Sequence, residues 1–231
     1  TISALADNAY DGCSGLTSVS MPHVTSVGAS TFASCSSLIT IDMPLLTTVG
    51  NNAFEYCSNL ASVNMSAVMT VGDSAFISCF DLGTVDMPLV TSVGTSAFKS
   101  CSSLASVNMS AVMSVGNAAF DSCSNLVGAD MPLVTSVGSF AFKSCSSLYS
   151  FNAPGQLSLP PSLTSIGTGA FYQCTGLRGD LFIPSSVTSV GVSAFSYCTG
   201  FFSSPVVEDS SITSVLSSAF HNCCLLTHDP S

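Results

Sequence analysis

Eleven cysteines give this 231-residue chain its most reactive side chains, and their spacing is its first regularity. Cys13, Cys35, Cys57, Cys79, Cys101, Cys123 and Cys145 recur every 22 residues; Cys174, Cys198 and Cys223 continue the series at wider intervals. Thiols form disulfides and bind soft metals only where partners converge on one point. A strict period instead stacks them one coil apart, roughly 4.8 Å, whereas disulfide Cβ atoms sit at ~3.5–4.5 Å. No Cys-x-x-Cys pair or histidine cluster accompanies them. The column therefore reads as small, buried, free thiols, with no metal or cofactor expected. Cys224 is out of register and reads as exposed, or as bridged to residues outside this sequence.

A second column carries oxygen and amide groups: Ser20, Asp42, Asn64, Asp86, Asn108, Asp130 and Asn152. Beside it run Ser18, Thr40, Ser62, Thr84, Ser106, Gly128 and Ser150. Two readings stay open. One is an ordinary solvated sheet face. The other is a surface that binds protein, glycan or a divalent cation, with Thr40, Asp42, Asn64, Thr84, Asp86, Asn108 and Asp130 as its candidates. Alternation with Asn sets the aspartates two coils apart, roughly 9.6 Å, which avoids like charges on adjacent strands. The same spacing makes a poor calcium cage, because Ca²⁺ wants several oxygens at ~2.3–2.6 Å. Asn64-Met-Ser66 and Asn108-Met-Ser110 are also N-glycosylation sequons, and a glycan there would obstruct the stripe. Thr25, Thr47, Thr91 and Thr135 form another hydroxyl row, but Met69 and Met113 interrupt it, against an ice-ordering lattice. His23, His221 and His228 are not in register with any nucleophile, and each glycine recurs once per coil rather than in a phosphate loop. The chain is read as not an enzyme.

Bulk properties narrow the partners. Three basic residues (Lys99, Lys143, Arg178) face 13 acidic ones, for a formal net charge of -10. Phosphate neutralisation needs a basic footprint, so nucleic acid is excluded, and anionic membrane surfaces are disfavoured likewise. Only 7% of residues are charged while 47% are hydrophobic, too apolar for disorder. No uninterrupted apolar run approaches the ~18 residues of a membrane span, so no direct membrane insertion is expected. The chain starts within a repeat and stops just after one, as a mature product or an excerpt would.

The elements that position these columns follow from the repeat. An aromatic lies three residues before each cysteine of the series, from Tyr10 and Phe32 to Phe195 and Phe220; a Leu or Phe lies three after. Ten copies result. Asp-Met-Pro-Leu units (42–45, 86–89, 130–133) alternate with Asn-Met-Ser-Ala units (64–67, 108–111), so a 44-residue block has been duplicated. Within a copy, Val19 and Met21 alternate with Ser18 and Ser20, a half-buried strand that Pro22 ends. Residues 24–27 predict a second short strand, and Gly28 a tight turn at positive φ. Apolar spacings of three in Ala-Phe-x-x-Cys-x-x-Leu predict a short helical or 3₁₀ turn. A unit this short cannot bury its own apolar face, so about ten coils must stack into a rod or arc about 45 Å long.

The motif Leu-x-x-Val-x-Met/Ile-Pro…Val-Thr-Ser-Val-Gly-x-x-Ala-Phe-x-x-Cys resembles the BspA-like class of leucine-rich repeats, from Ile2 to about Leu226; residues 183–191 are an especially close copy. The early Met-Pro-Leu-Val copies are one residue shorter, which predicts an altered corner. The resemblance implies an α/β, β-rich leucine-rich-repeat solenoid with parallel β-ladders. Residues 1–231 then form one domain, strict to about 151 and irregular over 152–231. It also implies an extracellular or cell-surface binding or adhesion module for protein or glycan. Low charge and open solenoid ends support an alternative, a structural or linker subunit that self-associates or docks into an assembly. Residues 152–162 should bulge as an irregular loop, and 203–211, with Glu208 and Asp209, form a second irregular stretch; such departures either encode a specific contact or are drift near a terminus, and drift is the favoured reading.

Overall fold

The computed structural model describes residues 2–153, 156–201, 206–207, 214–215 and 218–223. The chain winds as a solenoid of parallel β-ladders. One sheet of ten two-residue strands, from Ala4–Leu5 through Ser92–Val93 to Ser214–Val215, takes one strand from each coil. Register pairs each repeat position with itself, as in Ser92↔Ser114 and Val93↔Val115. The other predicted strand forms a ladder in three pieces. Ser18–Ser20, Thr40–Asp42 and Ser62–Asn64 make the first; Thr84–Asp86, Ser106–Asn108, Gly128–Asp130 and Ser150–Ala153 belong to the second; Phe182–Ile183 and Val206–Val207 make the third. Val, Ile or Ala at the centre of each early strand faces inward and its two neighbours face out, as period two requires.

The third side corrects one expectation. Among the described residues there is no helix; Ala-Phe-x-x-Cys segments are chains of hydrogen-bonded turns. Two residues per coil, four positions apart, hold left-handed φ: Ser30 (51°) and Ser34 (58°), then Asn52 (58°) and Tyr56 (57°). A right-handed helix needs every φ negative, so each such residue stops propagation. The freed N–H groups turn to the next coil: Ser30, Phe32 and Ser34 donate to the carbonyls of Asn51, Ala53 and Glu55 at 2.9, 2.8 and 2.7 Å. Every side of the solenoid is thus bonded coil to coil.

The glycine column is corrected too. Gly28, Gly50, Gly72 and Gly94 carry no positive φ. Glycine is needed for close approach: a Cβ on Gly94 would lie 2.6 Å from the Gly72 carbonyl carbon and 2.7 Å from the Asp73 nitrogen.

The core is a set of one-residue-wide columns. Rings from Tyr10 to Phe142 stack nearly parallel with centroids 5.0–5.4 Å apart. The Phe, Cys, Leu and Met columns of the central coils are wholly buried. The insertion at 152–162 is not a plain loop. Ser150–Ala153 turns back into an antiparallel strand, Gln156–Leu157, with a bulge at Phe151/Asn152. Leu157 and Leu159 are buried, so this hairpin packs on the core. Most of 203–211, with Glu208 and Asp209, and Cys224 lie outside the described residues.

Candidate functional site: the polar strand face

From Cys35 to Cys198, each thiol of the cysteine column donates to a backbone carbonyl. Cys57, Cys79, Cys101, Cys123 and Cys145 donate S–H to the carbonyl of the aromatic residue one coil back, at 3.1–3.2 Å. That carbonyl also accepts the N–H of its own coil's cysteine, as Cys57 N to Phe54 O at 3.2 Å. Burial pushes the Cys57 thiol up to about 12, helped by the neighbouring Cys35. Burial likewise raises Cys79, Cys101, Cys123, Cys145 and Cys174 well above the ordinary range. A thiol held neutral and sealed from solvent is a poor nucleophile. The cysteines of the series are free, and only Cys13, on the first coil, is exposed. No group of three metal-ligating side chains occurs among the described residues.

The threonine row is spent on structure. Thr47, Thr135 and Thr164 donate Oγ1–H to the carbonyls of Thr25, Met113 and Thr135 at 2.9 Å each. One column went unnoticed in the sequence, the position that follows the glycine in most coils and Ala6 in the first. There Asp7, Asn51, Asp73 and Asn117 accept the N–H of the next coil's equivalent residue at 2.7–2.9 Å. The recurring Asx at that register was its only signal.

The predicted stripe lies on one face. Thr40, Asn64, Thr84, Asp86, Asn108 and Asp130 are exposed and Asp42 is half-buried. Its alternation has a chemical reason. Asn64 Nδ2 donates to Asp42 Oδ1 and Asn108 Nδ2 to Asp86 Oδ1, both at 2.7 Å; Ser20 Oγ adds a 3.1 Å bond to Asp42 Oδ2. A carboxylate accepts only, so a neighbouring amide bonds where a second carboxylate would repel. The sequon amides at 64 and 108 are therefore already engaged.

Asp130 breaks the pattern. Its counterpart one coil on, Asn152, sits at φ 58° where the chain leaves for the hairpin. Asn152 Oδ1 accepts the Met131 N–H, in place of the backbone carbonyl that serves Met109 (Asp130 O, 3.0 Å) and Met87 (Asn108 O, 2.9 Å). Its Nδ2 points to the Ser158 carbonyl at 3.4 Å. Among the described residues, the exposed Asp130 carboxylate keeps no side-chain hydrogen bond. Gly128, where neighbouring coils carry Ser106 and Ser150, leaves space that a Cβ would enter without contact. The result is a hollow of about 370 Å³ between Ser106 and Ser150, floored at Gly128 and Ala129 and edged by Asp130 and Asn152. Exposed apolar side chains also follow the strands, one per coil: Leu45, Leu89 and Leu133 on alternate coils, and Met69 and Met113 two positions further along the coils between them, each about half exposed.

Twenty-two-residue coils, a parallel ladder on each coil and an inward Leu/Val/Phe core define a leucine-rich-repeat solenoid. The family model of the BspA type leucine rich repeat region matches residues 1–105, 70–199 and 155–229, and the chain belongs to that family. Among curated proteins none matches. Solved structures give the same fold. A leucine-rich repeat protein from Bacteroides ovatus is 25% identical with a TM-score of 0.81, over 96% of this chain and 57% of that one. A leucine rich cell surface protein from Faecalibacterium prausnitzii is 24% identical with a TM-score of 0.53, over 96% and 67%. The leucine rich repeat protein of T. pallidum is 24% identical with a TM-score of 0.54, over 73% and 72%. This chain thus spans little more than half of the Bacteroides protein's length. No helix among the described residues is long and apolar enough to cross a membrane.

Proposed function

We propose that this chain is a single non-enzymatic repeat domain that binds protein or glycan at the cell surface or outside the cell, through the polar strand face. The carrying observation is the opening in that face at Asp130. Asp42 and Asp86 are bonded by Asn64 and Asn108; at Asp130 a carboxylate without such a partner and a hollow lie beside the chain's largest insertion. Family membership supports a binding role, and the surplus of acidic residues supports partners other than nucleic acid.

The test is a panel of purified extracellular proteins and glycans probed with labelled chain and with a triple D42A/D86A/D130A variant. The wild type should retain at least one partner that the variant loses, with circular dichroism unchanged. Equal binding by both removes the stripe from the interface. In a host that N-glycosylates, Asn64 and Asn108 are the candidate acceptors; a glycan there would displace their bonds to Asp42 and Asp86 and cover that part of the face, leaving the Asp130 end for binding, and intact-mass spectrometry of secreted chain checks their use.

The exposed leucines and methionines favour a second reading, a structural or linker subunit, since an apolar side chain on each of five consecutive coils suits docking into an assembly. Sedimentation of a clean monomer at high concentration would remove its self-associating form.

A further inference from the structure

We infer that the hollow at Asp130 receives a cationic side chain, an arginine or lysine presented by an extended segment of the partner. The inference rests on the strand-face reading above and names the chemistry of its centre.

Charge supplies the first argument. Asp42 and Asp86 already accept 2.7 Å bonds from Asn64 and Asn108, which meet part of their charge. Asp130 receives no such bond from the next coil, because Asn152 turns its oxygen to the Met131 N–H and its amide nitrogen to the Ser158 carbonyl. Of the three stripe carboxylates, it keeps the most acceptor capacity for an incoming cation. The chain's three basic residues are Lys99, Lys143 and Arg178. Lys99 is 3.2 Å from Asp121, and Lys143 lies 5.9 Å over the ring of Phe140. Neither of these two competes for Asp130.

Shape supplies the second. The floor is glycine and alanine, with Val107 beside it, an apolar bed for a methylene stem. Ser106 and Ser150 stand on opposite sides, one coil away each way, and the Ser106 hydroxyl can accept from an N–H donor. A single carboxylate with a hydroxyl acceptor beside it suits the several donors of a guanidinium or ammonium group. It does not suit a divalent ion, which needs several charged oxygens at once. Outside the hollow, Val127 and Tyr149 precede Gly128 and Ser150 and are about half exposed. The counterparts Ala61, Gly83 and Ala105 carry little or no side chain, whereas Ile39 is exposed like Val127. Aliphatic and aromatic surface thus borders the hollow at Val127 and Tyr149, and a tyrosine face attracts a cation.

Three chains decide it: wild type, D130N and G128T. Asparagine already occupies the Asp130 column at 64, 108 and 152, and Ser or Thr occupies the Gly128 column at 84, 106 and 150, so both variants suit the fold. The probe is N-acetylarginine amide, with N-acetylcitrulline amide as its uncharged counterpart, followed by amide chemical shifts. The arginine probe should give saturable shifts centred on residues 128–130 and 150 of the wild type, with a dissociation constant in the millimolar range (about 4 kcal/mol). D130N and G128T should each weaken binding about fivefold or more, and citrulline should match the variants. Shifts spread evenly over all exposed aspartates, or equal affinity for D130N, overturn the inference. Neither outcome depends on finding a macromolecular partner. If arginine binds the hollow but no protein or glycan binds the face, the broader reading fails alone. If a partner binds the face while arginine ignores the hollow, this one fails alone.

Discussion

The buried thiol column predicts a specific alkaline collapse. Cys57, Cys79, Cys101, Cys123, Cys145, Cys174 and Cys198 are all buried and all titrate above their ordinary value of 9.0, with desolvation the first cause in each. Unfolding returns them to the ordinary value. Between the two, the unfolded chain releases protons that the folded chain keeps, so stability falls as pH rises. Below pH 9 the contribution is complete. One pH unit above the unfolded value, each thiol has given up about 1.4 kcal/mol. Seven thiols then sum to about 10 kcal/mol near pH 10, comparable to the ~5–15 kcal/mol stability of a whole domain. Ionising a thiol in place is no escape. It removes the S–H donor and sets a thiolate against the carbonyl that had accepted it, as at Cys101 and Phe76. The assay is urea denaturation under reducing conditions from about pH 7.5 to 10.5, with thiolate absorbance read alongside. Stability should fall steeply above pH 9, and the thiols should titrate together with loss of the β signal. A chain still folded at about pH 10.5 with its thiols ionised would refute the argument. So would a denaturation midpoint indifferent to pH.

Two further outcomes follow from individual columns. G94A should cost about 1–3 kcal/mol in thermal or urea denaturation, because its Cβ would meet the Gly72 backbone at 2.6 Å; a neutral result would mean the coils can separate there. N108D places a second carboxylate at the 2.7 Å contact with Asp86. It should cost about 1 kcal/mol at pH 7 and less at pH 4, where the shared site regains a proton; equal losses at both would rule out charge repulsion.

The columns were legible because a strict period announces itself. Cys, Phe and Leu at constant offsets define a stacked core whatever the backbone does between them. What the period hides is backbone conformation. Serine, asparagine, tyrosine and phenylalanine all occupy the left-handed positions, as Ser30, Asn52, Tyr56 and Phe140 show, so no residue type marks them. Spacings of three in Ala-Phe-x-x-Cys fit a helical turn equally well, and coil-to-coil bonding from Phe32 and Ser34 decides the matter. Gly28 illustrates the same limit: glycine marks either positive φ or close approach, and only its neighbours tell which. At the candidate site, the Asp/Asn alternation was visible, and so was the Gly128 gap. That Asp130 is left unpaired depends on where Asn152 points. A hairpin following residue 152 sets that direction, and its pairing with Gln156–Leu157 was not readable from a stretch containing three prolines.

The bonds from Asn64 to Asp42 and from Asn108 to Asp86 give the strand face a direction and a parity. Each amide reaches back one coil, so odd and even coils are not interchangeable on that face, although every inward column treats them alike. Loss of one 22-residue coil would leave the core in register yet bring like partners together, carboxylate against carboxylate or amide against amide. Loss or gain of two coils would leave every pair intact. Arrays built on this face can therefore lengthen or shorten at little cost only in even steps, and the 44-residue block is the smallest piece of this gene that recombination can add or drop without mispairing the surface.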